Sequence, residues 1–153
     1  MDVKRSLKIN SEIKFLEYDG GSWSLDVCVN SIDLQNILSE FTLLYFGLVD
    51  QISLRPVTGP KLYIKPGEKS QLNLKDENYV YLIDQDSIEY CISTFSQFYR
   101  DEIAPTDHIH LDVDTTNLGG KGDVTIVMPE CGFPSECSEA ASKILNKKPR
   151  KKR

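Results

Sequence analysis

NYVYLIDQDSIEYCISTFSQFYRDE, residues 78–102, changes its hydrophobic period partway through, and that change decides the fold. Up to Asp84 the apolar residues alternate, so that Tyr79, Tyr81 and Ile83 fall on one side of an extended chain, the signature of a strand with one face against a core. From Asp86 onward the period lengthens. Ile88, Cys91, Ile92, Phe95, Phe98 and Tyr99 recur at steps of three and four, which places them on one stripe of a helix over 86–102. Asp86 with Glu89 three residues later has the spacing of an acidic capping box, so the helix is expected to start there.

Upstream, Asn30 or Ser31 can cap a second helix in which Leu34, Ile37, Leu38, Phe41, Leu44 and Tyr45 repeat at helical spacing until Gly47. Its polar side, Asp33, Gln35, Asn36, Ser39 and Glu40, is narrow, as expected of a helix laid across a sheet. Before it, residues 12–18 and 22–29 flank Asp19-Gly20-Gly21, a turn that favours a hairpin. Between the helices, Pro56, Pro60, Pro66, Gly59 and Gly67 interrupt short apolar runs, which reads as edge strands or an extended excursion.

Downstream, residues 107–114 (DHIHLDVD) alternate polar and apolar without a break. Residues 122–128 (GDVTIVM) answer them after Gly119-Gly120, giving a closing hairpin with Ile109, Leu111 and Val113 toward the core. Residues 135–145 can form a short helix. These elements predict an α+β fold, a mixed and mainly antiparallel sheet with two principal helices packed against it, in a single domain over 1–146. Residues 147–153 form a separate basic tail.

Of the 18 basic residues, six lie in that tail; removing them leaves 12 basic against 23 acidic residues, a net charge of −11 for the body. Such a body repels nucleic acid and anionic lipid and steers cationic partners toward itself. The tail, Lys147 to Arg153, is the one segment expected to contact nucleic acid, either as a nuclear-localisation or nucleic-acid run or as a mobile charge-compensating end. No apolar run reaches the length of a membrane span, and the first residues lack the apolar stretch of a secretory signal, so a soluble cytoplasmic protein is expected. Four cysteines without an export signal imply reduced thiols. The five-residue spacer between Cys131 and Cys137 fits neither the redox nor the zinc-knuckle pattern, and leaves their pairing open.

Only one place offers histidine chemistry. His108, His110, Asp112 and Asp114 alternate on one strand face, so His108, His110 and Asp112 form a candidate metal set, and a small metal-dependent enzyme is one reading. A solvated or partner-facing strand is the other. No G-x-S-x-G elbow is present, and Gly119-Gly120-Lys121-Gly122 joins two strands with no helix N-terminus behind it, so neither hydrolase nor phosphate-loop chemistry is indicated. No catalytic residue and no cofactor are assigned. Acids and tyrosines are interleaved where a partner can dock, and the residues expected to bind one are Glu77, Asp84, Asp86, Glu89, Tyr90, Asp101, Glu102, Asp107, Asp112 and Asp114.

In its size, its acidic body, the helix from Asp86 to Glu102 and the hairpin of 107–112 with 122–128, the chain resembles the bacterial immunity proteins of contact-dependent-inhibition and polymorphic-toxin systems. The resemblance covers general character over about 130 residues and includes no residue-by-residue motif. It implies a small cytoplasmic α/β protein that is not an enzyme, and that neutralises a cognate basic toxin, often a nuclease, by occluding its active site. A regulatory module directed by the basic tail is a further alternative.

Overall fold

The hairpin read around Asp19-Gly20-Gly21 is present. β1 (Lys4–Ile9) leads into β2 (Glu12–Glu17), which pairs antiparallel with β3 (Ser22–Cys28), Glu12 opposite Cys28 and Glu17 opposite Trp23. The structure, a computed structural model, describes residues 2–101 and 106–129. Gly20 and Gly21 both take positive φ in the turn, a conformation that costs glycine little.

Asn30 caps α1 (Ser31–Tyr45), its side chain accepting from Asp33 N at 2.7 Å. Two of the acids assigned by periodicity to the solvent side of this helix are instead buried. Asp33 is 3% exposed and accepts from the Asn10 amide at 3.0 Å and from the Ser11 hydroxyl, which ties the β1–β2 turn to the helix. Glu40, 7% exposed, receives a bidentate pair from Arg5 at 3.0 and 2.8 Å. That ion pair raises the Arg5 pKa. Both acids tolerate burial because each is hydrogen-bonded.

The proline-punctuated segment folds differently from the edge expected of it. β4 (Gln51–Pro56), β5 (Leu62–Pro66), β6 (Gln71–Lys75) and β7 (Asn78–Ile83) join β1 in a six-stranded sheet of order β1-β4-β5-β7-β6-β9, in which β9 is Thr115–Thr116. β4 and β5 are interior strands. Pro56 and Pro66 are accommodated because each is the last residue of its strand, while Ile52, Leu54, Leu62 and Ile64 are buried. β7 alternates as read, with Tyr79, Tyr81 and Ile83 buried.

α2 (Gln85–Asp101) begins one residue earlier than expected, and its cap is Asp84, whose Oδ1 accepts from Ser87 N at 2.8 Å. Asp86 makes no such bond, and Glu89 accepts from the Tyr45 hydroxyl of α1 at 3.1 Å instead of closing a capping box. The helices meet through Phe41 and Phe95, ring centroids 6.0 Å apart, and Tyr99 donates its hydroxyl to the Ser31 carbonyl.

The closing hairpin is also present: β8 (His108–Asp112) pairs antiparallel with β10 (Lys121–Val127). β10 pairs in parallel with β3 on its other side, giving a second sheet of order β2-β3-β10-β8. The fold is therefore α+β with two mixed sheets. Among the described residues, parallel and antiparallel pairings are equally frequent, four of each. Leu54, Leu62, Ile64 and Tyr81 of the first sheet, Val27, Leu111, Val124 and Ile126 of the second and Ile37 and Phe41 of α1 surround one residual cavity of about 20 Å³, which marks the shared core. Between β8 and β10 the chain crosses to the other sheet, where Asp114 N and Thr115 N donate to the Ser70 carbonyl and β9 pairs with β6. Among the described residues, no helix is long and apolar enough to cross a membrane.

Candidate functional site

β8 is the last strand of its sheet, and its alternation puts Ile109 and Leu111 in the core and His108, His110 and Asp112 on the outer face. The register brings Thr125 opposite His110 and Asp123 opposite Asp112; on the far side of β10, Asp26 lies opposite Thr125 and Ser24 opposite Asp123. A polar face follows directly from these pairings. Thr125 Oγ1 donates to Asp123 Oδ1 at 2.6 Å and lies 3.1 Å from His110 Nδ1, itself 3.4 Å from Asp123 Oδ2. With the threonine proton committed to Asp123, its oxygen accepts from His110 Nδ1–H. The Ser24 hydroxyl donates to Asp26. A hollow of about 500 Å³ lies over this face, lined by these groups together with Trp23, His108 and Lys121.

A second hollow, about 310 Å³, opens between the N-terminal turn of α2 and the end of β8. Asp84, Asp86, Ser87 and Tyr90 line it from the helix, and His110, Leu111, Asp112 and Asp114 from the strand and the crossing that follows. Asp114 is fixed there because its Oδ2 accepts from Ser70 N at 3.2 Å. Tyr90 leaves half its surface exposed at the rim. His110 and Asp112 border both hollows, so the two form one groove across the edge of the sheet. Six aspartates line it (Asp26, Asp84, Asp86, Asp112, Asp114 and Asp123) against one lysine, Lys121.

Five of the residues expected to bind a partner thus converge: Asp84, Asp86, Tyr90, Asp112 and Asp114. Four others do not. Glu77 sits in the β6–β7 turn, the length of β7 away from Asp84, roughly 20 Å. Glu89 is turned toward Tyr45, Asp101 pairs with Arg100 at the far end of α2, and Asp107 precedes the opposite end of β8, where its carbonyl accepts from Met128 N. Glu102 lies outside the described residues, as do Cys131, Cys137, the helix expected at 135–145 and the basic tail. Asp26 and Asp123 join the groove without having been singled out. Asp123 comes with the β8–β10 hairpin, opposite Asp112, whereas only the parallel pairing of β3 with β10, which spans some hundred residues of chain, brings Asp26 there.

His108 and His110 stack face to face, centroids 5.9 Å apart and rings 7° from parallel. Among the described residues, no group of three or more His, Cys, Asp or Glu side chains is placed to hold a metal ion, so His108, His110 and Asp112 share a face without forming a ligand set. The described cysteines are equally unsuited to nucleophilic work, since burial raises the thiol pKa of Cys91 and, to a lesser degree, of Cys28. Comparison with protein-family models, curated proteins and solved structures finds no match to this chain.

Proposed function

We propose that the chain is a binding protein of the immunity type, whose acidic groove receives a basic protein toxin such as a nuclease and neutralises it by occlusion. The observation that supports this most is the convergence of Asp84, Asp86, Asp112 and Asp114 with half-exposed Tyr90 in one cleft, continuous with the Asp26 and Asp123 face. Carboxylates on rigid elements take the places of nucleic-acid phosphates against a basic active site, and a tyrosine adds contact area at low conformational cost. No turnover is required of such a protein.

The test compares Asp86→Asn/Asp112→Asn with Glu77→Gln/Asp101→Asn against a partner captured by the tagged full chain. Among the described residues, neither the Asp86 nor the Asp112 side chain makes a hydrogen bond that the fold depends on. The groove variant is expected to lose about tenfold or more in association rate at low salt, as close charges steer encounter. The distal variant should bind as the parent does. Equal losses in both would show that net charge alone is recognised, and would overturn the assignment of the groove.

A further inference from the structure

The body's net charge of −11 is distributed very unevenly. The outward face of the six-stranded sheet carries basic residues and no carboxylate on any of its strand positions. Alternation sends Arg5, Leu7, Ile52, Leu54, Ile64 and Tyr81 to the core side, so Lys4, Lys8, Arg55, Lys65 and Lys75 occupy the opposite one, all exposed.

The register orders them. Lys8 pairs with Arg55 and Lys75 with Asn78. The antiparallel match of Ile52 with Ile64 and Leu54 with Leu62 carries Arg55 on to Lys61 and Gln51 on to Lys65. Lys61 N in turn donates to the Asn78 side chain at 2.9 Å. One row therefore reads Lys8, Arg55, Lys61, Asn78, Lys75 across five strands. The row at the other ends of the strands holds Lys4, Gln51, Lys65, Leu82 and Gln71, with Lys4 and Lys65 as its cations. Between them runs Ser6, Ser53, Tyr63, Val80, Asn73, an uncharged row with one tyrosine at its centre. The two basic rows lie about 13 Å apart along the strands, and the trough they bound is about 19 Å long. Among the described residues, carboxylates flank the strands without standing on them: Asp2, Asp50, which accepts from Val3 N, Glu68, Asp76 and Glu77, with Asp84 just beyond β7 and Asp114 just before β9.

We infer that this trough is a second binding surface, separate from the acidic groove, and that its occupant is single-stranded nucleic acid. Two basic rows can neutralise phosphates on either side of a strand laid along the trough, and half-buried Tyr63 offers a ring for one base to stack on, while Ser53 is buried and the Ser6 hydroxyl is already engaged by Arg55. A membrane surface fits less well, because Val80 and Leu82 are partly buried and the strand positions of the face present no exposed apolar side chain, Val57 alone being exposed in the β4–β5 turn. The acidic remainder of the body opposes approach, which makes the contact weak and steeply dependent on salt.

The experiment is fluorescence anisotropy of a labelled twelve-nucleotide oligothymidylate and its RNA counterpart with the full chain, from 20 to 150 mM salt. Parallel titrations use Lys8→Glu/Lys65→Glu/Lys75→Glu, the milder Lys8→Gln/Lys75→Gln, Tyr63→Ala, and a chain whose tail cations at 147–153 are replaced by serine. Binding in the range of about 1–100 μM at low salt is expected, with a log–log salt slope near −3 for about four phosphate contacts. The triple variant should weaken it at least tenfold and flatten the slope, the Gln variant should do so by a smaller factor with unchanged thermal unfolding, and Tyr63→Ala should weaken binding without changing the slope. Binding that survives the face substitutions but disappears with the tail cations overturns the inference, as does no binding at 20 mM salt. It is equally overturned if the protein alone self-associates at low salt and the triple variant abolishes that, which would make the acidic groove of a second copy the occupant.

Discussion

Replacing Gly122 by alanine should loosen the sheet that carries the acidic groove, and the size of the effect follows from one contact. A Cβ at this position would lie 2.1 Å from Trp23 Cδ2 and 2.3 Å from both Cε2 and Cε3, inside the indole ring. Trp23 cannot simply yield. It is 4% exposed, packs on Phe15 with centroids 5.6 Å apart, and donates its Nε1–H to the Gly119 carbonyl at 2.8 Å. Displacing the ring combines an overpacking cost of about 1–3 kcal/mol with the loss of a hydrogen bond worth about 1 kcal/mol, or about 2–4 kcal/mol together. For a chain of this size that lowers Tm by about 5–15 °C. The protein has a single tryptophan, so its emission reports directly on this site, and urea unfolding followed by far-ultraviolet circular dichroism measures the cost with or without that tryptophan. In a Trp23→Ala background the three atoms nearest to a Cβ at 122 are gone, and the same substitution should then cost less than about 1 kcal/mol. An unchanged emission maximum, or an equal cost in both backgrounds, would refute the contact as the cause.

Asp33→Ala should destabilise the fold by about 2–3 kcal/mol in urea unfolding, because it leaves the Asn10 amide and the Ser11 hydroxyl without their shared acceptor; a cost under about 0.5 kcal/mol would contradict that role. Asp84→Ala removes the α2 cap and should cost about 1 kcal/mol, whereas Asp86→Ala, which caps nothing, should leave stability within about 0.5 kcal/mol of the parent. Burial raises the pKa of the Cys91 thiol above its ordinary 9.0 and that of the Tyr81 hydroxyl above 10.0, so both hold their protons in the fold at pH values where the unfolded chain releases them. The stability this represents is complete below pH 9 and is lost as pH rises, so Tm should be level near neutrality and fall from about pH 9 upward; a level Tm through pH 11 would contradict it. Peptide mapping after treatment with a thiol reagent should find Cys91 modified only once the protein is unfolded.

Local signals were legible wherever one segment carried its own period. The β2–β3 hairpin, α1 with its Asn30 cap, β7, and the hairpin of β8 with β10 follow from alternation or helical spacing over stretches of five to fifteen residues. What escaped the sequence is non-local. Prolines at 56 and 66 suggested an edge, yet both stand at strand ends, where a missing amide costs no interior hydrogen bond. Asp33 and Glu40 looked like solvent-facing helix positions, and only the arrival of Ser11 and Arg5 from the first strands makes their burial tolerable. The same holds for the groove. Asp84, Asp86 and Tyr90 were readable as an acidic aromatic segment, but their meeting with Asp112 and Asp114 depends on the crossing that bonds Asp114 to Ser70.

We propose the groove bordered by β8 and α2 as the surface at which a basic protein is held. Its most direct test is hydrogen–deuterium exchange of the full chain with and without the protein it captures from its native host, supported by a titration of Asp86→Asn/Asp112→Asn. Protection confined to residues 84–90, 108–114 and 121–125 is expected, with affinity falling in the groove variant. Protection elsewhere, with that variant binding as tightly as the parent, would contradict it.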